Sequence, residues 1–224
     1  MDTLSNVKKQ SGEVIPQGVR LIPDAFPDAK SSKARVSVRY VPDQSKKWYV
    51  FRASYGREDI AFNYIIEDGT YAYIAKRYAR RIVNGKPQKA LVALIPNLLF
   101  VYATPDKADD YVKKTPVLSF LSYYYNHFET DRQHRNPPLI VPVHEMENFI
   151  LATCSNSEHL MFVSKEQCHF RGGEIVRVTD GAFKGVEGRV ARVSGQQRVV
   201  VSVTNVGLIS TAYIPTAFLQ IINT

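Results

Sequence analysis

The last quarter of the chain places the tightest limit on the fold. From Phe170 onward the sequence falls into short β-prone stretches, EIVRV, VEGRVARV, QRVVVSV and LISTAYI, separated by glycine-containing turns. In QRVVVSV, Val199, Val201 and Val203 share one face while Arg198, Val200 and Ser202 share the other, the period of a strand. A flat sheet of so few residues would leave two open edges and almost no core, so residues 169–224 are expected to curl into a small all-β barrel. Gly181, Gly185 and Gly188 supply its tight turns, and Phe183 is expected to plug one end. No GxxxxGK sequence accompanies these glycines, which makes their role structural rather than phosphate-binding.

A different texture runs from residue 46 to 152. KKWYVFRA alternates as a buried or half-buried strand, and SYGREDIAFNYIIEDG places Ile60, Ala61, Tyr64 and Ile65 at helical spacing before a stop at Asp68-Gly69. TYAYIAKRYARRIV also fits a helix, but Asn84-Gly85 is a strong tight-turn signal and KALVALI and LLFVYA are strand-like, which favours strands around a hairpin. Thr104, Pro105 and Asp106 form a helix start, with a hydroxyl cap, a proline whose missing donor is harmless, and an acid near the positive end of the dipole. VLSFLSYYY at 117–125 reads as a strand, and a second proline-opened helix is expected from about Pro142 to Ala152. The predicted order, strand, helix, strands, helix, strand, helix, is that of an α/β (α+β) sandwich. Residues 153–168 are expected to link it to the barrel, and 1–45, basic and punctuated by prolines, to form a largely flexible extension.

The chain carries a formal net charge of +8 and a pI near 9.4, which favours polyanions or acidic protein surfaces as partners. Six bases, Lys76, Arg77, Arg80, Arg81, Lys86 and Lys89, crowd the hairpin, where a projecting basic arm would contact phosphates without reading sequence. A solvated loop is the competing reading of the same charges. No leader-like or membrane-spanning run is present in the sequence given, so the cytoplasm is the expected compartment. Cys154 and Cys168 lack a CxxC spacing and read as ordinary reduced thiols.

Chemistry-bearing patterns are missing. There is no HExxH, no His/Cys ligand cluster and no GxSxG elbow, and the five histidines are scattered singly. The acids Asp109, Asp110, Glu145 and Glu147 read as helix-surface charges rather than a pair converging on a reacting atom. The expectation is a protein with no catalytic residues, no metal and no cofactor.

FRGGEIVRVTDGAFKGVEGRVARV at 170–193 closely resembles a KOW motif, and its placement after KKWYVFRASYGRE and ALIPNLLFVYA makes the whole similar to the NusG family of transcription elongation factors. That resemblance covers about residues 46–224. It implies an N-terminal domain that binds the clamp helices of RNA polymerase, suppresses pausing and makes or breaks no covalent bond. It carries Trp48 and Tyr49 onto a first-strand WY motif in which Trp48 is structural, Ile95 and Leu98 onto polymerase-contact positions, and Pro96 onto the proline of an FPGY-like segment. Phe120 falls in the family's next loop and strand and is a third contact candidate. Here the FPGY-like segment reads IPNLLF, without its glycine and local aromatics, and a long extension precedes the domain.

Those departures resemble the UpxY-type antiterminators, specialised paralogues that act on capsular polysaccharide operons. The resemblance implies that Arg77, Arg80, Arg81, Lys86 and Lys89 touch upstream DNA or nascent RNA, that the KOW domain recruits a second protein, and that the protein is a monomer. A ribosome- or RNA-associated KOW adaptor is the alternative, since KOW modules occur in both settings.

Overall fold

The computed structural model describes residues 43–83, 85–154 and 157–222. The expected extension therefore lies outside the described residues up to position 42, as does Asn84 of the hairpin turn.

The first sheet is built on β1 (Lys47–Ala53), whose side chains are buried on both faces, so the strand reads as an almost continuous apolar run. α1 (Glu58–Glu67) opens with Glu58 and Asp59 against its positive end, and stops where Gly69 takes a left-handed φ of 77°. Then come β2 (Tyr71–Tyr73), β3 (Lys76–Val83), β4 (Lys86–Ala93) and β5 (Leu98–Ala103), the last buried at every position. α2 (Pro105–Asp109) is capped by Thr104, whose Oγ1 accepts from the Lys107 amide at 3.4 Å, and it runs on into a π turn over Asp110–Lys114. β6 (Leu121–Tyr123), β7 (Ile140–Val141) and α3 (Val143–Thr153) complete this half. The strand expected over 117–125 is shorter, because Pro116 opens a single 3-10 turn through Leu118 and only 121–123 pair with β1. Pro142 stands as the cap of α3 rather than its first helical residue.

The strand order is β2-β5-β1-β6, antiparallel throughout, with β7 also on β1. Tyr49, Phe51, Leu99 and Val101 pack beneath Ala61, Ile65 and Tyr111 on one face. Trp48, Val50, Phe100 and Tyr102 face Met146, Phe149 and Ile150 of α3 on the other. β3 and β4 leave this body as a separate two-stranded ribbon.

The C-terminal half is all β: β8 (Met161–Val163), β9 (His169–Val178), β10 (Glu187–Val193), β11 (Gln196–Val203), β12 (Gly207–Tyr213) and β13 (Leu219–Ile222). They form one sheet in the order β13-β9-β10-β11-β12-β8, bent by register shifts at Arg189/Ala191 and Arg198/Val200. The expected barrel closure is not seen among the described residues. β8, drawn from the segment expected to be a linker, occupies the edge of β12, and no pairing joins it to β13. Phe183 is buried at 6% exposure, and Gly181 has a φ of 81°. Gly188, expected in a tight turn, lies instead within β10, where close approach requires it: a Cβ there would lie 2.4 Å from the Val200 carbonyl oxygen.

α3 lies between the halves. Its apolar residues continue into a cluster with Val186, Val199 and Val201, so one core passes through the helix. The Asn148 side chain donates to the Glu187 carbonyl at 2.6 Å and accepts from the Glu187 amide at 2.8 Å. The Glu145 carboxylate accepts from the Thr204 amide and hydroxyl at 2.7 and 2.8 Å, and Asn205 donates to Asn126 at 3.1 Å.

Candidate functional site

Two surfaces collect the residues that the sequence singles out. The first is the β3–β4 ribbon. Its register pairs Tyr78 with Leu91, Arg80 with Lys89 and Ile82 with Pro87, alternating with Arg77 opposite Val92, Ala79 opposite Ala90 and Arg81 opposite Gln88. Directly paired residues share a face, so one side carries Tyr78, Arg80, Ile82 and Lys89, and the other carries Arg77 and Arg81. No acidic residue occurs from Lys76 to Ala93. Arg77, Arg80, Arg81 and Lys86 meet no carboxylate among the described residues. Lys89 pairs with Glu158 at 3.6 Å and stands 4.9 Å from the Tyr78 ring centre, while Lys76 pairs with Asp59. A strand pair that holds four of its six cations out of reach of acids among the described residues, with Ile82 79% exposed, has not been folded to satisfy itself.

The second surface is the end of the first sheet where β1 finishes and β5 and β6 begin. Ile95 and Leu98 are each buried to 9% exposure in the cluster that contains Tyr73 and Phe100, and Pro96 between them is exposed. Phe120 packs on the opposite face with the α1 and α2 cluster. The three contact candidates thus meet around one end of the sheet rather than on one face. Trp48 is wholly buried, edge-on to Tyr71 at 5.5 Å between ring centres, as a structural residue should be.

Sequence reasoning passed over three residues at that end. Tyr55 is 91% exposed in a left-handed conformation, Arg57 lays its guanidinium over the Phe120 ring at 4.0 Å, and Asn97 bonds across to the turn that contains Tyr55. The signals for them were Ser54-Tyr55-Gly56, a turn composition between strand and helix, and Pro96-Asn97, which marks a bend; neither specifies a side-chain direction.

Burial raises the Tyr71 phenol to about 12, and it raises the Tyr73 phenol further despite a 2.6 Å hydrogen bond with Thr153. Hydrogen bonds from Lys107 and Tyr111 hold the Asp68 carboxyl below its usual value, and those from Lys113 and Tyr123 do the same for Asp109. These acids are occupied as surface ion-pair partners. No group of three or more His, Cys, Asp or Glu side chains that could hold a metal occurs among the described residues, and both cysteines are free thiols. No helix among the described residues is long and apolar enough to cross a membrane.

Residues 46–150 match the family model described as "Transcription termination factor nusG". A solved structure described as "Domain interaction in Thermotoga maritima NusG" is 19% identical, with a TM-score of 0.38, covering 80% of this chain and 98% of that one. No curated protein matches the chain. The mixed α/β half, over residues 46–150, is thus similar to the NusG family, and an all-β half follows it.

Proposed function

We propose that the protein is a transcription elongation or antitermination factor that binds RNA polymerase through the end of its first sheet, at Ile95, Leu98 and Phe120. The β3–β4 ribbon lies along upstream DNA or nascent RNA through Arg77, Arg80, Arg81, Lys86 and Lys89. The all-β half, KOW-like in sequence, receives a second protein partner. In this reading the protein acts as a cytoplasmic monomer and reduces pausing or termination, in the manner of the UpxY-type factors of surface-polysaccharide operons.

The observation that carries the reading is the ribbon itself, an acid-free cationic projection on a domain whose residues 46–150 match the NusG model. Its length and charge suit a polyanion that passes beside the domain rather than into it. The test is a pull-down with core RNA polymerase, followed by titration into a reconstituted paused elongation complex. Specific binding with shortened pauses or reduced termination is expected. Absence of polymerase binding together with tight binding of structured RNA would sink the reading in favour of an RNA-associated adaptor, for which the exposed Arg189 and Arg192 on β10 are the next residues to map.

A further inference from the structure

The turn between β1 and α1 is held in a shape that does nothing for the core. Tyr55 has a φ of 61° and 91% of its surface is exposed, so an aromatic residue occupies a left-handed conformation without burying its ring. Side chains with a Cβ adopt this conformation at a cost, and it persists only when the surroundings enforce it. Asn97, itself at a φ of 64°, supplies the enforcement. Its backbone carbonyl accepts from the Ala53 amide at 2.8 Å, and its Oδ1 accepts from the Gly56 amide at 2.9 Å, so two hydrogen bonds straddle Tyr55.

Arg57 completes the arrangement. Its Nε donates to the Ser54 carbonyl at 3.1 Å, and its guanidinium lies 4.0 Å from the Phe120 ring centre and 5.5 Å from that of Tyr55. The Ser54 amide in turn donates to the Phe120 carbonyl at 3.1 Å. No carboxylate among the described residues pairs with Arg57, and of its five N–H groups only Nε–H has a hydrogen-bond partner among the described residues. A planar cation flanked by two rings, with donors left over and an outward tyrosine beside it, has the composition of a protein–protein hot spot. The charge distribution argues against nucleic acid here, because phosphate tracking needs several cations and those are gathered on the ribbon.

We infer that Tyr55 and Arg57 are protein-contact residues, and that Asn97 is the residue that positions them. The partner presents an apolar recess for the Tyr55 ring and a carboxylate for Arg57. The inference rests on the polymerase reading and adds these residues to the sheet end that carries Ile95, Leu98 and Phe120.

The test uses the full chain titrated with core RNA polymerase. Tyr55→Ala and Arg57→Gln are each expected to weaken binding about tenfold without lowering the unfolding midpoint. Asn97→Gly keeps the left-handed backbone but loses the Oδ1 acceptor, and should weaken binding to a similar degree. Asn97→Asp retains an acceptor oxygen and should restore it. Tyr55→Gly, which suits the turn, serves if Tyr55→Ala fails to fold. Folded variants that bind polymerase as the parent does would overturn the inference and leave the polymerase reading standing. A parent protein that ignores polymerase removes both. Loss of affinity for an oligothymidylate with polymerase binding intact would overturn the inference in favour of base stacking. Self-association that Tyr55→Ala abolishes, with polymerase binding unchanged, would also overturn it and make the turn a contact between copies.

Discussion

Tyr55 and Gly188 place opposite demands on a single residue. At Gly188 the backbone approaches Val200 so closely that any Cβ would collide with a carbonyl oxygen, so the side chain is excluded by packing. At Tyr55 the backbone takes a conformation suited to glycine, yet a large side chain is present and exposed. The strain can be isolated by comparing two variants that both lack the ring. Tyr55→Gly should be more stable than Tyr55→Ala by about 1 kcal/mol, since only alanine keeps the left-handed penalty. Chemical denaturation measures the difference directly, and equal stabilities would mean that the turn relaxes and stores no strain.

At the scale of elements, the ribbon was legible because Asn84-Gly85 marks a tight turn and the following KALVALI is strand-like, although the first arm also fitted a helix. What pairing adds is the division of its charges between two faces, Arg80 with Lys89 on one and Arg77 with Arg81 on the other. If all three arginines touch phosphate, replacing Arg77, Arg80 and Arg81 with alanine should flatten the salt dependence of nucleic-acid binding. The slope of log K against log[salt] is expected to fall by about 2 for a single strand, and by somewhat more for a duplex. An unchanged slope would return the ribbon to the solvated-loop reading. The strand expected over 117–125 shows the opposite case. Its strand character was read correctly at 121–123, but Pro116 had already turned the chain, leaving Val117 exposed and Leu118 buried.

For the whole molecule the decisive feature is the seam along α3. The helix was predicted as a proline-opened one, and its apolar residues Met146, Phe149 and Ile150 face the first sheet. Asn148 and Glu145 instead reach the second sheet, where Asn148 satisfies both backbone groups of Glu187. Asn148→Ala removes both part-buried bonds and should weaken docking by about 1 kcal/mol, the net worth of a typical intramolecular hydrogen bond. Backbone NMR relaxation on the full chain should then show the two halves tumbling more independently. A rigid body with unchanged tumbling would mean that the apolar seam alone holds them. The sequence by itself determined the two halves, the helices, the Thr104 cap and the hairpin, because hydrophobic period and turn residues act over short stretches of chain. Only the tertiary structure decided that Ile95 and Phe120 lie on opposite faces, that β8 joins the second sheet and leaves it open, that α3 is shared by both halves, and that Tyr55 stands outward beside Arg57. Those arrangements come from pairing and packing between residues far apart in the chain, and local pattern does not encode such contacts.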